Sequence, residues 1–118
     1  MQIRIFNRQD DKALRALMGE LDPGLDLNGK DNDLRNVEGT YFANGGLFLI
    51  AEEEGEILAF MGARRLDDSE NLTVTRQGLK PGAQIDRAIL DQLLAVVLNQ
   101  AYQLDLKKVE LPTSPDQP

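Results

Sequence analysis

A chain of 118 residues with 20 acidic against 13 basic side chains carries a net charge of −7 and has no cysteine, histidine or tryptophan. Those absences exclude disulfides, thiol nucleophiles, thiolate or imidazole metal sites and a serine–histidine–aspartate triad. The acidic balance argues against nucleic acid as a partner, because that affinity draws on clustered Lys and Arg.

The length suits a single domain with a substantial core. The N-terminus lacks the basic and apolar segments of a signal peptide, and no apolar run reaches the roughly 18 residues that cross a bilayer. A cytoplasmic protein with no membrane partner is therefore expected. Residues 2–6 alternate, with Ile3 and Ile5 on one side, as in a short half-buried strand. Asp10 or Asp11 then caps a helix whose Leu14, Leu17, Met18 and Leu21 recur at i, i+3, i+4 and i+7, and Pro23-Gly24 stops it.

Residues 22–33 form a polar loop dense in Gly, Asn and Asp, followed by a helical segment over 33–42 with Leu34, Val37 and Tyr41 on one face, ended by Asn44-Gly45-Gly46. The apolar runs 47–51 and 57–62, joined by the turn Glu53-Glu54-Gly55, read as a β-hairpin. After Asp67-Asp68-Ser69, Leu72 and Val74 alternate with polar residues in a fourth strand over 70–75, and a loop with two turn signals covers 76–81. A long proline-free helix follows over 83–103. Its apolar Ile85, Ala88, Ile89, Leu93, Val96 and Val97, with a second stripe at Leu90, Leu94 and Leu98, give the broad face of a helix pressed on a sheet. Residues 108–111 form a fifth strand, and 112–118, with three prolines in seven residues, a disordered tail beyond a single domain of 1–111.

The order β-α-α-β-β-β-α-β resembles the GNAT superfamily of acetyl-CoA-dependent N-acyltransferases, and three local patterns carry the resemblance. Asp33-Leu34-Arg35-Asn36-Val37, Tyr41 and then Gly45-Gly46-Leu47-Phe48-Leu49-Ile50-Ala51 look like the second helix and second strand of small bacterial members. The hairpin over 50–62 is similar to the family's paired strands around an acidic turn. Leu72-Thr73-Val74 matches the strand that leads, in the family, to an Arg-Gly-x-Gly-Ile-Gly/Ala loop opening the long helix.

That resemblance implies an α/β fold with a mostly antiparallel sheet of about five strands flanked by helices, the fifth parallel to the fourth by the right-handed crossover rule. It implies acetyl transfer from acetyl-CoA to a small amine. The cofactor would be held by backbone N–H groups of Thr73, Val74 and Thr75 and of Gly82, Ala83, Gln84, Ile85, Asp86 and Arg87, where an anion meets a helix N-terminus. Aligning the helices lays residues 81–86 over the glycine motif and keeps only Gly82 of its glycines. Gln84 and Asp86 add side chains, and the Asp86 carboxylate satisfies the helix start itself.

Glu70 falls where some members place the carboxylate that accepts the amine proton, a role that burial would favour by raising its pKa; a solvent-facing strand end is the alternative. The acidic loop over 22–33 has oxygen donors without EF-hand spacing. In the family this stretch borders the acceptor site, and its carboxylates would attract an amine cation. Tyr41 and Tyr102, each on an apolar helical face, are expected in the core. The family's further helix and two strands have no counterpart after residue 111, nor has its thiolate-protonating tyrosine. An exposed fifth-strand edge then implies a homodimer. Two functions stay open: an N-acetyltransferase, or a non-catalytic GNAT-like binding or dimerisation module.

Overall fold

The apolar runs in the middle of the chain form a hairpin of strands β2 (Leu47–Glu53) and β3 (Glu56–Arg64), closed by Glu54 and Gly55 with φ of 54° and 81°. Positive φ at both central residues gives a turn whose twist matches that of paired strands. The structure, a computed structural model, describes residues 2–43, 45–65, 70–82 and 86–111. Strand β1 (Gln2–Ile5) pairs antiparallel with β2, and β4 (Asn71–Leu79) pairs antiparallel with β3. Strand β5 (Lys108–Glu110) lies parallel to β4, so the sheet runs β1-β2-β3-β4-β5 in chain order. The expected mixed, mostly antiparallel five-stranded α/β architecture is the one observed.

Because side chains alternate across a strand, the sheet has two apolar faces. On one, Leu47, Leu49, Ala51, Ala59, Met61, Ala63, Leu72 and Val74 pack against Ile89, Leu93, Val97 and Ala101 of helix α2 (Ala88–Gln103). On the other, Phe48, Ile50, Ile57 and Phe60 meet Leu14, Leu17 and Met18 of helix α1 (Asp11–Leu21), together with Leu34, Val37 and Tyr41. At the centre of this second face Phe48 contacts Tyr41 edge-on at 5.1 Å and stacks over Phe60 at 6.1 Å.

Several expectations are corrected. Ile5 is 59% exposed, and it is Phe6, just past the strand, that enters the core. The segment after the acidic loop is not one α-helix. It is a 3-10 turn (Asn32–Asn36) followed by a π-helical turn (Glu38–Phe42). The fourth strand runs to Leu79 where a loop was expected, because Gly78 is a site of close approach and not a turn. A Cβ there would lie 2.7 Å from Phe60 Cζ, which covers it from the neighbouring strand. The long helix begins at Ala88; its expected start at residues 83–85, the turn at 67–69, Asn44 and the tail over 112–118 lie outside the described residues. Leu98 is 50% and Tyr102 80% exposed, so the second stripe of α2 is only partly covered. No helix among the described residues is long and apolar enough to cross a membrane.

Candidate active site

The pairs Gly62↔Arg76 and Ala63↔Val74 leave Thr75 without an opposite residue, which makes a β-bulge in β4. A bulge turns consecutive side chains toward one side. Thr75 and Arg76 accordingly reach the same cluster. The Tyr41 hydroxyl donates to Asp33 Oδ2 at 2.7 Å and lies 2.9 Å from Thr75 Oγ1. A phenol has one proton to give, so Thr75 is the donor in the second bond.

Arg76 donates from Nε to Asp33 Oδ2 at 3.0 Å, and from Nη2 to Asp33 Oδ1 at 2.6 Å and Asp31 Oδ1 at 2.8 Å. Asp31 Oδ2 accepts from the Asp26 backbone N–H at 2.9 Å and pairs with Lys30 Nζ at 3.2 Å. Arginine's planar fork suits this two-sided grip. Burial alone would raise the Asp31 carboxyl, but the Asp26 N–H, Arg76 and Lys30 outweigh it and hold it down at about 2. Burial pushes the Tyr41 phenol well above its usual value; the Thr75 bond works the other way and Asp33 adds to the rise.

The acidic loop is thus bound to the bulge of β4 over more than forty residues of chain. The loop carboxylates are those expected to border an acceptor site, whereas Arg76, expected in a loop, stands in β4 at the centre of the cluster. The available signal was the arrest of alternation after Leu72 and Val74, which marks a bulge as readily as a strand end.

Beside the cluster lies a cleft of about 260 Å³ between the end of α1, the acidic loop and β4, with Met18, Leu21, Leu25 and Phe60 as apolar walls and Asp22, Thr75, Arg76 and Gln77 at its polar side. Among the described residues β5 pairs only with Asn71, Leu72 and Thr73. Beyond Thr73, β4 therefore continues with a free edge on that flank, next to the start of α2. Val74 anchors this stretch, its side chain wholly buried under α2.

The remaining expected site residues are placed as follows. Gly82 sits in a turn with φ of 76°. Asp86 Oδ1 accepts from the Ala88 N–H at 2.9 Å, and the Ile89 and Leu90 N–H groups are taken by the carbonyls of Asp86 and Arg87 at 3.0 Å. The first N–H groups of α2 are thus already engaged by the chain. Glu70 is exposed and pairs with Lys107 Nζ at 2.8 Å, so the burial that would suit it as a base is missing. Among the described residues no group of three or more acidic side chains is placed to hold a metal ion.

No protein-family model matches the chain, and no curated protein matches it. Solved structures do. An acetyltransferase of the GNAT family from Staphylococcus aureus superposes with a TM-score of 0.82 at 22% identity, over 95% of this chain and 72% of that one. An acetyltransferase from Streptococcus agalactiae gives 0.78 at 18% identity over 98% and 74%. The aminoglycoside N-acetyltransferase AAC(6')-Iy, bound to a bisubstrate analogue joining coenzyme A to an acetylneamine, gives 0.74 at 21% identity over 98% and 81%.

Proposed function

We propose that this chain, which has the GNAT fold, is an N-acetyltransferase that moves an acetyl group from acetyl-CoA to a small amine. The observation that carries this reading is the edge of β4 beyond Thr73, which no strand among the described residues pairs, between the start of α2 and a cleft that reaches the same strand. A free strand edge offers alternating N–H and C=O groups to any extended amide-bearing ligand. The amide arm of coenzyme A is such a ligand. In this reading the backbone groups of Val74 and Thr75, next to Thr73 where the pairing with β5 ends, hold that arm, while Gly82, Ala83, Gln84, Ile85, Asp86 and Arg87 are assigned to the pyrophosphate, with Lys80 and Arg87 as cations.

Bound acetyl-CoA supplies the acetyl group as a thioester: the amine nitrogen bonds to the carbonyl carbon, the carbon–sulfur bond breaks, and a proton passes in net from nitrogen to sulfur. The chain's part is positioning, which converts an encounter of two molecules into a reaction between held neighbours. Since Glu70 is exposed and ion-paired, we assign the amine proton to water. We also propose that the exposed edge of β5 joins two copies into a homodimer.

A second reading rests on Asp86. Its carboxylate occupies the Ala88 N–H where phosphate oxygen would sit, and like charge opposes the anion. The alternative is a non-catalytic GNAT-like module. Thermal unfolding with and without millimolar coenzyme A separates the two: ligand at 100 times its dissociation constant adds about 2.7 kcal/mol, a rise of several degrees in Tm. No rise would remove the acetyltransferase reading.

A further inference from the structure

The cleft beside β4 differs in chemistry from a polyol-binding site. Met18, Leu21, Leu25 and Phe60 make most of its wall. Its polar side is dominated by Arg76, whose side chain is 22% exposed. The Nε and Nη2 atoms of that guanidinium are committed to Asp31 and Asp33, and Nη1 makes no hydrogen bond among the described residues. Nor is Nη1 among the buried nitrogens left unpartnered, which are the Nε atoms of Arg15 and Arg64. Among the described residues Nη1 thus keeps two N–H donors uncommitted, on a guanidinium that two carboxylates hold in place at the cleft.

The surrounding charges decide what those donors accept. Asp22, Asp31 and Asp33 face Lys30 and Arg76, leaving one net negative charge. That balance favours a cationic amine and disfavours a carboxylate, although a carboxylate is the usual arginine ligand. A hydroxyl would bring a donor of its own to a place where the neighbouring acceptors are already engaged. A neutral amide oxygen has only lone pairs to satisfy, and the amide N–H groups sit on a separate atom that diverges from it, whereas a hydroxyl carries donor and acceptor on the one oxygen that meets Arg76.

We propose that the cleft selects amines with a compact apolar body and an amide carbonyl near the amine, and that Arg76 is the residue that selects them. This deepens the acetyltransferase reading and rests on it. An aminoacyl amide with an aliphatic side chain fits: its side chain meets the apolar wall, its carbonyl meets Nη1, and its ammonium meets the net negative field. A polyhydroxylated polyamine would leave several polar groups unpaired against that wall.

Titration calorimetry of the full chain tests this with leucinamide, leucine, isopentylamine and 2-deoxystreptamine, each with and without saturating coenzyme A. Leucinamide should bind about tenfold more tightly than each of the other three, the worth of one charge-assisted hydrogen bond or of an avoided repulsion. Arg76→Lys keeps the charge but loses the fork, and should bring leucinamide to the level of isopentylamine. Leu25→Trp should fill the cleft and abolish binding of all four. Leucine or 2-deoxystreptamine binding as tightly as leucinamide, or an undiminished preference in the Arg76→Lys protein, would overturn the proposal, as would no binding of leucinamide in either condition. Should Arg76→Lys not fold, the ranking in the unaltered protein decides. Absence of coenzyme A binding alongside a retained leucinamide preference would count against the acetyltransferase reading alone.

Discussion

Replacing Arg76 by Met would strip the buried Asp31 and the half-buried Asp33 of their shared cation. Breaking a buried pair from one side is far more damaging than the pair's net worth, because the remaining charge is stranded. Arg76→Met should therefore lose about 3–5 kcal/mol in a urea titration, whereas Arg8→Ala, which removes an exposed pair with Glu38, should lose under about 1 kcal/mol. Asp31 also fixes an acid response. Its carboxyl is held at about 2 in the folded chain, below the ordinary value of about 3.9, so the unfolded chain takes up its proton first. The stability it contributes is complete above about pH 4 and is lost as pH falls through about 2. Denaturant midpoints measured from pH 6 to pH 2 should fall over that window, and Asp31→Asn should flatten the fall. The Asp residues of this loop stood out in the sequence by density alone. Nothing in their spacing tells which of them meets an arginine more than forty residues later.

Between elements, close approach decides where glycine sits. A Cβ on Gly62 would lie 2.6 Å from Phe48 Cδ2 and 2.9 Å from Tyr41 Cε1, both rings fully buried. A Cβ on Gly78 would meet the half-exposed Leu21 and the tip of the buried Phe60 ring, both of which line the cleft and have its open space to shift into. Overpacking is costly where neighbours cannot yield. Gly62→Ala should lower the unfolding free energy by about 1–3 kcal/mol, and Gly78→Ala by clearly less, in parallel urea titrations. The strands and both α-helices were legible because period-2 and period-3.6 patterns are properties of the local chain. The bulge at Thr75 was not, since it changes no residue type, only which face each one takes. The break of the 33–42 segment was hidden for a related reason: Asp33 and Tyr41 must meet, although they stand eight positions apart, and an irregular turn brings this about. Tyr102 stands in solvent although Ala101 beside it is buried, because it continues the stripe of Leu90, Leu94 and Leu98 and not the covered face of Ile89, Leu93, Val97 and Ala101.

For the molecule as a whole, the proposed dimer rests on the flank formed by β5 and the outer stripe of α2, where Leu98, Tyr102 and Leu111 are exposed. An open strand edge beside exposed apolar side chains is a surface that chains tend to pair through. Light scattering across micromolar concentrations should give twice the mass of one chain, and Val109→Pro, in the strand itself, should shift it to the monomer; a single-chain mass throughout would count against the dimer.

Two strands of the chain-ordered sheet pair across long stretches of sequence: β5 with β4 past α2, and β1 with β2 past α1 and the acidic loop. Strands β2, β3 and β4 follow one another, so each finds its partner almost as soon as it is made. Strand β1 precedes its partner by more than forty residues, so Ile5 must wait for Leu49. At translation rates of about 5–20 residues per second the delay is several seconds, during which β1 has no strand to pair with. Arg4, later gripped by Asp10 and Glu52, places a charge in the middle of that waiting strand. A charge at such a position disfavours pairing of an open strand with a second chain, and in the folded protein the same charge staples β1 to β2.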